Sequence, residues 1–305
     1  MNNNDKVIHT ERLTKLYGKN VGIWGLDLEV KKGEVFGFLG PNGAGKTTTI
    51  NILLDLVRPT RGKALVFGMD SHKEGKYIRS LVGYIPGQPG FYEEMTGRAY
   101  LNFFAGLKGY KCSKKIDLLA ERFFQIKLER KIKAYSRGMK QLLYIIQAFM
   151  GDPDLYILDE PTSNLDPIMK RAFQGLVEEE HGQGKTVFLS SHKLEEVERL
   201  CDRVCIIRNG EMVALNTIEE IQEKMRKIID VKFESPIPIE KLKVDGVTSV
   251  KRIDELYTIE VTGEINPILA RLSEMPIRNF DYHKMSLEEI FLEYFEENGE
   301  PKKAH

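Results

Sequence analysis

The sequence predicts an α/β protein: a mostly parallel sheet flanked by helices, interrupted by a helical insertion and followed by a small α+β domain. Three observations carry this. Short apolar runs alternate with longer helical patterns, the spacing of parallel strands joined by helical crossovers. Residues 35–39 (VFGFL), 155–158 (LYIL) and 186–189 (TVFL) are almost continuously apolar, as strands covered on both faces require. Beyond residue 228 the pattern changes to strand-like segments separated by brief helical patterns.

The elements follow in order. The first domain is expected over residues 5–227. Its helical insertion occupies about 92–150, where Leu101, Phe104 and Leu107, then Ile116, Leu119 and Phe123, recur at helical spacing. Asp166-Pro167 reads as an N-cap followed by proline at the first helical position, opening a helix that HGQG ends near His181. A helix over 217–227 opens with a capping box, Thr217 and Glu220. The second domain, 228–305, has strand-like segments at 229–233, 247–252, 257–261 and 277–283. Helical patterns lie at 267–274 and 286–296, the latter with the capping box Ser286 and Glu289 and a stripe of Leu287, Ile290, Phe291, Tyr294 and Phe295.

Composition narrows the function. The 305 residues carry 45 Lys and Arg against 45 Asp and Glu, which gives no support for a nucleic-acid-binding surface. Residues 228–305 hold 10 Lys and Arg against 16 Asp and Glu, an acidic appendage that argues the same way. The three cysteines, Cys112, Cys201 and Cys205, form no CxxC pair and have no histidine cluster, so packed thiols in a reducing cytoplasm are expected. The polar start does not read as a signal peptide. The longest apolar run, 142–150, falls well short of the about 18 residues of a membrane helix. A role in transport would therefore need another polypeptide to form the pathway.

The chemistry concentrates at GPNGAGKT, residues 40–47, between an expected strand and an expected helix. That context makes GxxxxGK[ST] a phosphate loop. Gly40, Gly43 and Gly45 let the backbone wrap so that successive N–H groups point at phosphate oxygens, and the following helix aims its positive end there. Pro41, Asn42, Ala44 and Thr48 complete the cradle. Lys46 can reach the β- and γ-phosphates and the Thr47 hydroxyl can ligate Mg²⁺. In DLYILDEP, residues 154–161, Asp159 sits at a strand's carboxyl end, where an acid can hold the metal shell. Glu160 follows and points elsewhere, placed to orient or activate the attacking water. His192 follows TVFLSS at the same sheet edge, and Tyr17 in LTKLYG could stack on adenine.

Six segments in this order resemble the ABC transporter ATPases over about residues 5–225. Tyr17 matches the aromatic adenine contact and GPNGAGKT the phosphate loop. YSRGMKQ, 135–141, is similar to the family's signature, YILDEP to its acidic strand, SNLD, 163–166, to the loop that reaches across the dimer, and SSH to the switch histidine. The resemblance implies a phosphate-loop NTPase core that binds ATP and Mg²⁺, with Lys46, Glu160 and His192 serving turnover and Thr47 and Asp159 the metal. It further implies that two subunits, identical or related, pair head to tail, so that Ser136, Gly138 and Asp166 complete the partner's site. An integral membrane permease subunit is implied as well, with this chain attached peripherally to the inner face of the membrane. Ser136 and Gly138 open a helix whose free N–H groups suit an anion.

Two positions depart from the pattern. Arg137 stands where the family most often has glycine, with solvent its expected surroundings. In GYIPGQPGFY the family's metal-contacting glutamine would fall at Gly87. Either the loop shifts and Gln88 takes the nucleotide and metal contact, or the chain lacks it. The SLEEIFLEYF ending is similar to an accessory domain of bacterial exporter ATPases, which favours export. The alternative is a soluble ATPase of the same family acting on nucleic acid or ribosomes. A small-molecule kinase would share the phosphate loop but leave YSRGMKQ and SNLD without a task, and a non-catalytic ATP sensor would not need Glu160.

Overall fold

The computed structural model describes residues 5–87, 90–124, 126–224 and 227–284. The chain divides into two compact units, Met1–Asn216 and Thr217–His305. The helix expected to close the first domain near residue 227 thus opens the second unit instead.

The first unit contains two sheets. One is antiparallel, from β1 (Lys6–Tyr17), β2 (Asn20–Leu26), β3 (Glu29–Lys31), β5 (Arg61–Val66) and β6 (Met69–Asp70), in the order β2-β1-β5-β6 with β3 also on β1. The other has six strands: β4 (Val35–Leu39), β7 (Val82–Ile85), β8 (Leu155–Asp159), β9 (Thr186–Ser191), β10 (Arg203–Arg208) and β11 (Glu211–Thr217). Their order is β11-β10-β4-β9-β8-β7, and β10, β4, β9, β8 and β7 run parallel. Every residue of β4, β8 and β9 is buried; their middles are apolar, and the polar Asp159, Ser190 and Ser191 gather at the carboxyl ends of β8 and β9.

The parallel sheet was expected; the antiparallel one was not. It covers one side of α1 (Lys46–Leu53), and a single core joins Ile8, Leu13 and Val30 to Ile50 and Leu53 and on to Phe36, Phe38 and Phe188. The rings of Phe36 and Phe188 stack at 5.8 Å across neighbouring strands. Helix α1 is thereby held between two layers, which fixes the loop in front of it.

Helix α2 (Gly75–Leu81) precedes β7. The span 92–150 is mostly helical, with α3 (Gly97–Lys108), α4 (Ser113–Arg122) and α5 (Arg137–Phe149). Helix α5 buries Leu142, Leu143, Tyr144, Ile145, Ile146, Ala148 and Phe149, and the Phe149 ring stacks on Tyr156 of β8 at 4.3 Å. That stacking ties the last turn of α5 to the start of the strand that ends in Asp159. Helix α6 (Pro167–Gly182) starts at Asp166 as its composition predicts, the carboxylate accepting from the N–H groups of Ile168 and Met169 at 2.9 Å. Helix α7 (Leu194–Leu200) follows β9.

Cys201 and Cys205 are buried, and burial pushes the Cys205 thiol up to about 12 and Cys201 up as well. Thiols so placed stay protonated and pack as small apolar groups. Among the described residues no helix is long and apolar enough to cross a membrane.

The second unit begins with the capping box seen in the sequence: Thr217 and Glu220 exchange hydrogen bonds at 2.9 and 3.0 Å ahead of α8 (Ile218–Lys224). Four antiparallel strands follow, β12 (Lys227–Phe233), β13 (Val247–Ile253), β14 (Leu256–Val261) and β15 (Ile277–Lys284), in the order β13-β14-β12-β15. With α9 (Asn266–Ser273) they enclose Ile229, Val231, Tyr257, Ile259, Val261, Ile268 and Leu272. Strand limits match the expected segments to within a residue or two. The pattern over 286–296 lies outside the described residues.

Candidate active site

Residues 40–47 join the carboxyl end of β4 to α1, at the sheet edge where parallel strands leave a crevice. The loop is shaped by its glycines. A Cβ on Gly40 would fall 2.3 Å from the Ile207 carbonyl oxygen, so only glycine fits against β10. Gly45 has φ of 111° and its backbone presses on Gly22, where a Cβ would meet the carbonyl oxygen at 2.5 Å. Pro41, Asn42 and Gly43 are exposed, whereas Ala44, Gly45 and Lys46 are buried. Helix α1 has no side-chain cap at Gly45, which leaves its first-turn N–H groups for a ligand. Thr48, one turn in, is half-buried.

The Lys46 ammonium is tucked under the loop, donating to the carbonyl oxygens of Gly40 at 2.8 Å and Pro41 at 3.1 Å. Glu160 approaches it at 3.4 Å with one carboxylate oxygen, and with the other meets His192 Nδ1 at 3.2 Å. Lysine, glutamate and histidine thus form a line across the ends of β4, β8 and β9. Glu160 leaves the strand with φ of 48°, which turns its side chain away from that of Asp159.

Asp159 is 1% exposed and fully engaged. Thr47 Oγ1 donates to its Oδ2 at 2.8 Å and Ser190 Oγ to its Oδ1 at 2.5 Å. Hydroxyl and carboxylate oxygens together are the hard donors a divalent magnesium ion takes, with water and phosphate completing its shell. Among the described residues no group of three His, Cys, Asp or Glu is placed to hold a metal ion. Tyr84, on the neighbouring strand β7, has its phenol pushed up to about 12 by burial and by the Asp159 charge.

Gln88 lies outside the described residues. Gly87 before it abuts the acid: a Cβ there would fall 2.5 Å from Asp159 Oδ2, so the backbone comes as close as a side chain otherwise would. Tyr17 is 47% exposed, with the Lys15 ammonium 5.1 Å from its ring centre. Its ring borders Gly22, the same residue on which Gly45 packs, which places the exposed aromatic face beside the loop.

Ser136 caps α5, its hydroxyl accepting from the Met139 N–H at 3.2 Å. Arg137 is exposed. Gly138 lies against the SNLD segment, where a Cβ would meet the Asn164 carbonyl oxygen at 2.9 Å. Gln141 donates to the Pro161 carbonyl oxygen at 2.8 Å, which ties the same helix to the end of the acidic motif. The structure therefore gathers Tyr17, the loop, Asp159, Glu160 and His192 in one place, and sets Ser136, Gly138 and Asp166 about the start of α5 and α6. Sequence reasoning missed Ser190, Thr162 and Glu196. Thr162 and Ser191 donate to the buried Glu196 carboxylate at 2.5 and 3.0 Å, joining the segment after the acids to the one before His192. Thr162 and Ser190 showed in the sequence only as hydroxyls in EPTS and TVFLSS, and Glu196 gave no signal.

Comparison with known proteins agrees with this geometry. Residues 23–163 match the ABC transporter family, and residues 217–295 match the C-terminal domain of DrrA1-3-like ATP-binding proteins, beginning where the second compact unit begins. The bacitracin transport ATP-binding protein BcrA of Bacillus licheniformis is 39% identical over 229 residues, covering 73% of this chain and 74% of that protein. Nod factor export ATP-binding protein I of Burkholderia orbicola is 32% identical over 301 residues, 93% of this chain and 95% of its own. A solved ATP binding subunit of an ABC transporter superposes with a TM-score of 0.65 at 31% identity, covering 71% of this chain and 92% of that one. The chain belongs to the ATP-binding proteins of ABC transporters. It is an ATPase whose turnover drives transport.

Proposed function

We propose that this chain is the motor of an exporter, working at the inner face of a membrane on a separate integral membrane subunit. The observation that carries the assignment of roles is the line Lys46–Glu160–His192, at 3.4 and 3.2 Å, beside a loop whose crown is open. The triphosphate of ATP lies along residues 40–48, its oxygens taking the N–H groups of the loop and of the first turn of α1. Tyr17 stacks on the adenine.

Lys46 pairs with Glu160 and donates to two loop carbonyl oxygens. The more negative phosphates draw the ammonium to the terminal phosphoryl groups. The Glu160 carboxylate is then released toward water. Water oxygen attacks the γ-phosphorus as the bond to the β-phosphate oxygen breaks, and the water proton passes to Glu160. His192, already 3.2 Å from that carboxylate, orients it and faces the γ-phosphate. Thr47 and Asp159 would hold Mg²⁺, which supplies charge neutralisation at the phosphates, and Gln88 would add a further contact.

Two such subunits, identical or related, pair so that Ser136 and Gly138 of one close over the nucleotide of the other and Asp166 orders the loop between them. ATP then stabilises the pair and hydrolysis releases it, giving a cycle of closing and opening to drive the permease. Export is favoured by the acidic second domain and by the likeness, across nearly the whole chain, to a Nod factor export subunit. No nucleic acid is a partner in this scheme, in keeping with the balanced charge.

Glu160→Gln tests it. The variant should retain ATP, lose turnover by at least about 100-fold, and elute as a dimer with ATP and Mg²⁺ present. Turnover at the normal rate would remove Glu160 from its role.

A further inference from the structure

We infer that Ser190 is a positioning residue for ATP hydrolysis: its hydroxyl fixes both strand-end acids, and so sets the metal affinity of the site and the aim of the base. The inference rests on the roles given above to Asp159 and Glu160.

Ser190 lies on β9 beside β8 and has no exposed surface. Its Oγ donates to Asp159 Oδ1 at 2.5 Å and accepts from the Glu160 N–H at 3.1 Å. The same N–H also reaches the Ser190 carbonyl oxygen at 3.2 Å. Asp159 opposite Ser190 is the last paired position between the two strands. At the next residue the ladder stops and Glu160 turns off, so the serine hydroxyl ends the strand and holds the turn.

The arrangement constrains Asp159 from two sides. Thr47 of α1 takes one carboxylate oxygen and Ser190 of β9 the other, which fixes the plane of the group. Replacing the hydroxyl with a methyl hydrogen would leave Oδ1 without that partner in a site 1% exposed to water, a costly state for a carboxylate. The hydroxyl next door cannot substitute. Ser191 projects to the other face of β9 and bonds Glu196 at 3.0 Å. Ser190 therefore plays for this acid the part that outer partners play for metal ligands generally, setting orientation and affinity without touching the ion.

The experiment uses the purified full-length chain as Ser190→Ala, Ser190→Thr and Asp159→Asn. Free Mn²⁺ is titrated by its paramagnetic resonance signal in the presence of a non-hydrolysable ATP analogue. Metal-free binding of a fluorescent ATP analogue, ATPase rate and melting temperature are measured beside it. Ser190→Ala should weaken Mn²⁺ binding about 10-fold or more and lower kcat by a similar factor, with metal-free nucleotide affinity unchanged. Ser190→Thr, which keeps the hydroxyl, should recover both. Ser190→Ala with normal Mn²⁺ affinity, where Asp159→Asn has lost it, overturns the inference while leaving the acid's role intact. Equal impairment of the Ala and Thr variants moves the effect to packing and overturns it too. Normal Mn²⁺ affinity in Asp159→Asn removes the metal role of Asp159 itself, and the inference falls with it.

Discussion

Two helix starts in the first unit have opposite finishes. Helix α1 begins at Gly45 in a left-handed conformation with no side-chain cap, whereas α5 begins at Ser136, whose hydroxyl takes the Met139 N–H. Both ends carry the partial positive charge of an N-terminus. Only the first leaves its first-turn donors uncapped, behind a loop kept open by glycines. The difference shows that a helix start is made ready for an anion by what is withheld from its N–H groups as much as by the dipole behind them. The α1 end is complete within one chain. The α5 end satisfies itself in one chain, and in the proposed pairing it forms half of a shared site.

The contrast can be broken from the α1 side first. Lys46→Ala removes the ammonium that lies under the loop and should lower turnover by about 100-fold or more, measured as phosphate release. Normal turnover would mean that the loop's amides alone do the work. Next comes Ser136→Ala on α5. It should cut turnover about 10-fold while ATP binding by the isolated chain stays normal, as the proposed action of the residue on the partner's nucleotide requires. A matching loss of binding in the monomer would place Ser136 in its own site. Ser136→Ala is the sharper probe than Gly138→Asp, since a Cβ at Gly138 would already press on the Asn164 carbonyl oxygen at 2.9 Å. The smallest effect is the control. Thr96 caps α3 through the Ala99 N–H, and Thr96→Ala should cost about 1 kcal/mol of stability in denaturant unfolding without changing ATPase rate. A change in rate there would show that capping in the helical span is itself coupled to turnover.

How far the sequence could be read depended on distance along the chain. Strand Val35–Leu39 was legible to the residue because a strand covered on both faces must be apolar throughout. The phosphate loop and the N-cap at Asp166 were legible because their chemistry is contiguous. The antiparallel layer was not. Its long strand β1, KVIHTERLTKLY, bends through register shifts against β2, β3 and β5, which blurs the alternation that marks a half-buried strand. The division of the chain was missed for a different reason. A capping box announces a helix but not the unit to which that helix belongs, and α8 belongs with the second.

Within the site, the identities of Lys46, Asp159, Glu160 and His192 were legible and their partners were not. Thr47 and Asp159 are 112 positions apart yet share a hydrogen bond. Ser190 stood in the sequence as one hydroxyl in TVFLSS, and only the pairing of β8 with β9 reveals what it touches. Gly87 is the reverse case. Its departure from the family pattern was visible at once, but the reason, a backbone pressed against Asp159, needed three dimensions.

The left-handed turn at Glu160 has a consequence for anyone who sets out to toughen this protein. A side chain with φ of 48° costs of the order of 1–2 kcal/mol relative to glycine. Selection for heat resistance alone would favour relieving it, and would deliver a sturdier chain that no longer runs.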